Sequence, residues 1–158
     1  MVTKIERERK WLLKRATDEA WEGDTLHILQ IYTEDGWRYR RTRVNGDWVH
    51  EKMRKTSLGR GINQEVDIQT ITEEEFNKIL EQDNVKGVDK LRHVVKTDHH
   101  TFEIDDFNSV DMVIVEVENV DMDDTIIFPD WLEKEIIMEV TGNPLFSNAN
   151  LAIDAKEL

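Results

Sequence analysis

The charge pattern of Glu6-Arg7-Glu8-Arg9-Lys10, followed at once by Trp11-Leu12-Leu13, limits what this chain can build. Residues i and i+2 of a β-strand share a face, so Glu6, Glu8 and Lys10 stand on one side and Arg7 and Arg9 on the other. The same spacing returns along the chain in Arg38 and Arg40, Lys52 and Arg54, Glu65 and Asp67, Lys90 and Arg92, and Glu116 and Glu118. Each pair carries like charges, which repel when they share a strand face. Apolar residues take the opposite parity: Trp37 and Tyr39, Val66 and Ile68, then Val113, Val115 and Val117. One such strand alone reads as a half-buried strand with its polar face in water. The set reads otherwise, because ordinary surface strands mix signs and include Thr, Ser and Gln. Closed into a barrel with these faces inward, the strands would enclose a wet charged channel. Its basic walls suit a polyanion and its acidic walls suit hard divalent cations. Arg7 and Arg9 would then point outward to solvent.

Segments 25–33, 37–44, 47–55, 64–71, 89–97, 100–107 and 111–119 are rich in aromatic and β-branched residues and read as strands. Asn45-Gly46 between two of them is the favoured pair for a tight hairpin turn. Thr72-Glu73-Glu74-Glu75 is a capping box, and Phe76, Ile79 and Leu80 at helical spacing predict a helix over 73–82. Pro129 at a first turn, with Trp131, Leu132, Ile136 and Ile137 behind it, predicts another near 130–138. Residues 11–22 are compatible with a third. The expected fold class is α+β, a mainly antiparallel barrel of about seven or eight strands with a few short helices. Gly and Pro are sparse and no repeat or linker interrupts the chain, so residues 1–158 read as one domain.

The formal net charge of −13 disfavours a general nucleic-acid-binding role, though it leaves room for a local basic pocket. No run approaches the ~18 apolar residues of a membrane span, and no signal peptide precedes the charged start. Without cysteine, neither a disulfide nor a thiolate metal site can form. The expectation is a cytoplasmic protein with no membrane or nucleic-acid partner.

These residues resemble the signature of the CYTH domain, or triphosphate tunnel metalloenzyme family. Its amino-terminal Glu-x-Glu-x-Lys with a following aromatic and aliphatic pair is matched by Glu6, Glu8, Lys10, Trp11 and Leu12. Further matches follow in order: Arg38-Tyr39-Arg40, Lys52, Glu65 with Asp67, Lys90-Leu91-Arg92, Ile104-Asp105 and Glu116-Val117-Glu118. The tail, with Glu139-Val140-Thr141 and then Ser147 to Ala152, is similar to that of short bacterial members, so the resemblance covers nearly the whole chain. It implies an eight-stranded antiparallel β tunnel, open at the ends, that binds triphosphates with Mg²⁺ or Mn²⁺. Carried over by position, it implies Glu6, Glu8, Glu116 and Glu118 as metal ligands, with Asp105 a weaker one. Lys10, Arg38, Arg40, Lys52, Lys90 and Arg92 would grip the phosphates, joined on parity by Arg54. Lys10, Glu65 and Arg92 are the candidate catalytic groups. Two departures stand out: Asp67 occupies a position where Glu is common, and His50-Glu51-Lys52-Met53 lacks the usual Thr-x-Lys.

The implied reaction is metal-assisted phosphoryl transfer to water, with inorganic tripolyphosphate the leading substrate. Arg suits the phosphate oxygens because its planar fork matches two of them. The absence of an amino-terminal His-Phe element favours hydrolysis over adenylate cyclisation. A nucleoside or thiamine triphosphatase and a non-catalytic triphosphate-binding module are the other readings. No general base stands out among Glu65, Asp67 and Glu116. The family's frequent dimers imply a homodimer by analogy only. Plainer readings suffice elsewhere. His99-His100 is a surface pair, His27 is structural, and Glu73-Glu74-Glu75 complements a helix dipole. Asp121, Asp123 and Asp124 lack the Gly-punctuated loop of a calcium site.

Overall fold

The computed structural model describes residues 2–158. Its strands are β1 (Val2–Leu13), β2 (Asp24–Tyr32), β3 (Arg38–Val44), β4 (Asp47–Gly59), β5 (Ile62–Thr70), β6 (Lys86–Lys96), β7 (Thr101–Phe107), β8 (Val113–Glu118), β9 (Ile136–Glu139) and β10 (Ile153–Asp154). Hydrogen-bonded neighbours run β6-β2-β3-β4-β5-β1-β8-β7, and β7 pairs back onto β6, closing an antiparallel barrel of eight strands. The short β9 and β10 attach to β1 and β6. At the β3–β4 turn Asn45 and Gly46 have φ of 50° and 86°, the left-handed pair that a two-residue hairpin requires. The α+β expectation therefore holds.

Three helices flank the barrel: α1 (Glu73–Leu80), α2 (Asp130–Glu133) and α3 (Asn148–Leu151). Thr72 and Glu75 form the expected reciprocal capping box at the start of α1. Two helical expectations fail. Over 11–22 the chain stays in β1 to Leu13 and makes only a 3₁₀ turn at Asp18–Glu22. Trp11 and Leu13 alternate with Leu12 and bury outward, which is strand rather than helix periodicity. Over 130–138 helix α2 ends at Glu133, and Ile136–Glu139 becomes β9. There β1 has run past β5, and β9 supplies the missing hydrogen-bond partners to Trp11–Leu13.

The apolar core lies outside the barrel wall. Trp11, Phe102, Ile104, Val115 and Val117 point outward and pack beneath Ala20 and Leu132. On the far side Phe76 of α1 covers Leu29, Ile31 and Tyr39. Each such burial contributes roughly 1.5–3 kcal/mol, so the wall can be stabilised from without while its inner face stays polar. A third cluster narrows one end of the tunnel. Val88, Phe107 and Ile114, on the parity of Lys90, Asp105 and Glu116, meet Phe146, Leu151 and Ala152 of the carboxy-terminal segment. That end is therefore partly filled, where the resemblance implied open ends.

Two local backbone features set the inner wall. Asp67 has φ of 55°, and the register of β5 against both β1 and β4 slips by one residue there, a β-bulge that breaks its parity with Glu65. At the β4–β5 turn Gly61 has φ of +76°, and a Cβ there would lie 2.9 Å from the Glu8 carbonyl oxygen. Gly61→Ala is expected to lower stability by about 1–3 kcal/mol, read as a shift of the urea midpoint. An unchanged midpoint would contradict the fixed position of this turn against β1.

Candidate active site

The inner faces of the barrel strands line a cavity of about 480 Å³ whose walls are mainly ionic groups. Strand parity delivers them: Glu6 and Glu8 from β1, Arg38 and Arg40 from β3, Lys90 and Arg92 from β6, Glu116 and Glu118 from β8. The expectation that these alternating charges face inward is met on all four strands.

Glu8, Glu116 and Glu118 each place a carboxylate oxygen within 4.8 Å of the others. An all-carboxylate set of this kind fits a hard divalent cation. Burial, reinforced by the Glu116 charge, raises Glu8 to about 8. Burial also raises Glu118 to about 10, helped by its hydrogen bond and charge contact with Glu103. Glu116 behaves in the opposite way. Burial opposes its ionisation, yet Lys10, Arg92 and Lys90 outweigh that and hold it well below the usual carboxylate range. The site thus favours an ionised Glu116 and protonated Glu8 and Glu118, whose protons a cation would displace.

Four of the cations, Arg38, Arg40, Lys90 and Arg92, make their shortest contacts with carboxylates outside this trio. Asp105 is the hub: its two oxygens accept from Arg92 Nε at 2.7 Å and Nη2 at 2.9 Å, and from Lys90 Nζ at 2.7 Å. Both oxygens being engaged, Asp105 fixes the directions of Lys90 and Arg92 and is not placed with the carboxylate trio. Arg92 also reaches Glu103 at 3.3 Å and Glu116 at 3.7 Å. Burial pushes the Lys90 ammonium down to about 8 against the pull of Asp105. Lys10 stands 3.6 Å from Glu116. Across the cavity Arg38 pairs with Glu65, and Arg40 with Glu51 at 3.0 Å. Glu6 hydrogen-bonds Glu65 instead of joining the trio, and burial with that contact raises its pKa.

Lys52 and Arg54 do not line the cavity. Their parity on β4 is outward, and they stack on Trp37 at 4.5 and 4.2 Å from its ring centre. The inward residue is Lys55, 3.9 Å from Glu8, which the sequence pattern missed because the parity of β4 was set one residue off. Asp67 likewise lies outside the cavity, turned by its bulge. Glu103 was missed too, although it shares the parity of Asp105. Arg7 does face solvent, pairing with Asp121 at 3.1 Å. Arg9 does not. It makes two bonds to Glu139 at 3.0 and 2.9 Å and covers Trp11, locking β9 to β1.

A second cavity of about 620 Å³ adjoins the first, and Glu8, Arg38, Lys55 and Asn148 line both. Its other walls are mainly neutral, including Tyr32, Trp37, Gly36, Gly59, Val140 and Pro144. Gln30 donates to the Tyr32 hydroxyl at 2.6 Å, fixing that ring at the junction. The tunnel thus has an ionic half and a neutral half.

The raised carboxyls make stability depend on pH. In the unfolded chain these groups lose their protons near the ordinary 4.5, whereas folded Glu8 and Glu118 keep theirs to about 8 and about 10. The folded state then binds more protons than the unfolded state, so stability falls as pH rises towards those values. Between pH 7 and 8 other groups interfere least. His50, His93 and His100 are lowered by burial and act below their ordinary 6.5, and Lys90 acts above about 8. In chelator the Tm is expected to drop from pH 7 to pH 8. Glu8→Gln, neutral at every pH, should flatten that drop in thermal melts, and an equal slope in the two proteins would contradict the assignment.

Two structures of the protein NE1496 share this architecture. One, described as an inorganic triphosphatase, is 22% identical, covers 96% of this chain and 95% of that chain, and gives a TM-score of 0.56. The other is 23% identical over 92% of this chain and 96% of that chain, also with a TM-score of 0.56. No family model matches the sequence, and no curated protein matches it. No helix among the described residues is long and apolar enough to cross a membrane. At this identity the likeness establishes architecture alone. The chain has the fold of the two NE1496 structures.

Proposed function

We propose that the protein is a divalent-metal-dependent triphosphatase acting on inorganic tripolyphosphate. One observation carries this reading: Arg38, Arg40, Lys55, Lys90 and Arg92 share one cavity inside the barrel with the Glu8, Glu116 and Glu118 carboxylates. A linear polyanion is the ligand that uses both walls. The fold shared with a solved inorganic triphosphatase agrees with it.

The roles follow from the contacts. Arg92, whose Nε and Nη2 edge is held by Asp105, has its remaining Nη hydrogens for phosphate oxygens, and Lys10 and Lys90 add point charges. Glu8, Glu116 and Glu118 would hold Mg²⁺ or Mn²⁺, which would supply positive charge to the phosphate oxygens. Arg38 and Arg40 grip the far phosphate, with Glu65 and Glu51 fixing their direction. Closure of the barrel restricts bulk water and strengthens each of these contacts.

The neutral half of the tunnel favours a second reading, in which the substrate carries an organic group such as thiamine or a nucleoside. Trp37 and Tyr32 would flank that group.

Phosphate release from tripolyphosphate, thiamine triphosphate and ATP in Mg²⁺ or Mn²⁺ tests both. Tripolyphosphate is expected to be cleaved fastest, with activity lost in EDTA. Glu8→Gln should lower it by at least about tenfold, the loss that even indirect supports of a metal ligand cause. Faster cleavage of an organic triphosphate would favour the second reading. Tight binding of all three without turnover would leave a binding module and overturn both.

A further inference from the structure

The carboxy-terminal segment places a neutral side chain among the buried charges. Asn148, the first residue of α3, lines both halves of the tunnel at their junction. Its Oδ1 accepts from Lys90 Nζ at 3.0 Å. The amide orientation is fixed by chemistry: an ammonium can only donate, so the oxygen must face Lys90 and the Nδ2 amide must face away. Among the described residues, Nδ2 makes no hydrogen bond, although it is not sealed from solvent.

The position of Asn148 is tightly determined. Upstream, Val140 N donates to the Lys10 carbonyl at 2.9 Å, and Lys10 N donates to Thr141 Oγ1 at 2.8 Å. Downstream, Ile153 and Asp154 pair with Gly87 and Lys86 of β6. Phe146 and Leu151 pack onto Val88, Phe107 and Ile114. The segment is therefore pinned on one side to the strand bearing Lys10 and on the other to the strand bearing Lys90. Lys90, whose side chain is 1% exposed, gives one hydrogen to Asp105, one to Asn148, and has its third left for the tunnel.

We infer that Asn148 is a phosphate-binding residue as well as a support for Lys90. Its Nδ2 amide donates to a phosphate oxygen at the junction of the two halves, beside the third Lys90 hydrogen. This rests on the triphosphate reading and adds to it a neutral donor supplied by the carboxy-terminal segment. A carboxamide suits this place because it accepts from the cation and donates to the anion, which no charged side chain can do.

Two near-isosteric variants separate this role from simple support of Lys90. Asn148→Asp keeps the acceptor for Lys90, loses the donor and sets a negative charge against phosphate. Asn148→Leu loses both polar functions. Steady-state kinetics with tripolyphosphate, alongside Tm for each protein, are the readouts. The expected result is a KM raised by about tenfold in Asn148→Leu, the size of one lost hydrogen bond to a charged group. In Asn148→Asp the rise should be larger still, with kcat changed less and Tm equal to or above that of the parent protein. A residue that only anchors Lys90 would give the reverse order, with Asn148→Asp close to the parent. That order would overturn the inference while leaving the triphosphatase reading standing. A parent protein that neither cleaves nor binds tripolyphosphate would overturn both.

Discussion

An ionic group on the inner wall must find a partner to replace the water it loses, and the site follows from how each one does so. Unpaired, a buried charge costs several kcal/mol. Asp105 answers for two cations at once, holding Lys90 and Arg92 in fixed directions. Glu116 is surrounded by Lys10, Lys90 and Arg92 and stays ionised. Arg38 and Glu65 satisfy one another on the opposite wall. What is left over is uneven. Glu8 and Glu118 crowd Glu116, and Lys55, 3.9 Å from Glu8, offsets only part of that crowding, so positive charge is short there.

Such an interior is tolerable because the apolar stabilisation lies elsewhere. Turning Trp11, Phe102, Ile104 and Val115 outward, under the 3₁₀ turn and α2, gives the wall a hydrophobic layer that never enters the tunnel. Phe76 of α1 does the same over β2 and β3. The Arg9–Glu139 pair closes the outer surface where β1 passes from β5 to β9. Inner charges and outer packing are therefore two sides of the same strands, and period-two alternation is the property of the sequence that assigns them.

That alternation is also why much of the architecture was legible in advance. The parity of β1, β3, β6 and β8 places Glu6, Glu8, Arg38, Arg40, Lys90, Arg92, Glu116 and Glu118 on the inner wall as read. Reading failed where parity was interrupted or misphased. The bulge at Asp67 is a backbone event with no reliable mark in side-chain type, and it removed Asp67 from the face of Glu65. On β4, Lys52 and Arg54 looked like another inward pair, yet Met53 and Lys55 hold that face. The apolar residues near Ile136 fit a helix and a strand equally well over so short a span. Only the exposed edge of β1, a tertiary fact, decides for a strand. Asn148 carries no charge, so a search for ionic patterns passes over it.

The length of β1 has a consequence of its own. It runs for 12 residues through the wall and carries Glu6, Glu8 and Lys10 as successive stations. Alternate side chains on a strand stand about 6.8 Å apart, so the first and last of these stations are separated by roughly 14 Å. A compact anion such as orthophosphate spans only one of them. On the proposed reading, a metal-bound chain of linked phosphates would reach more than one, so extent as well as sign would decide what fits.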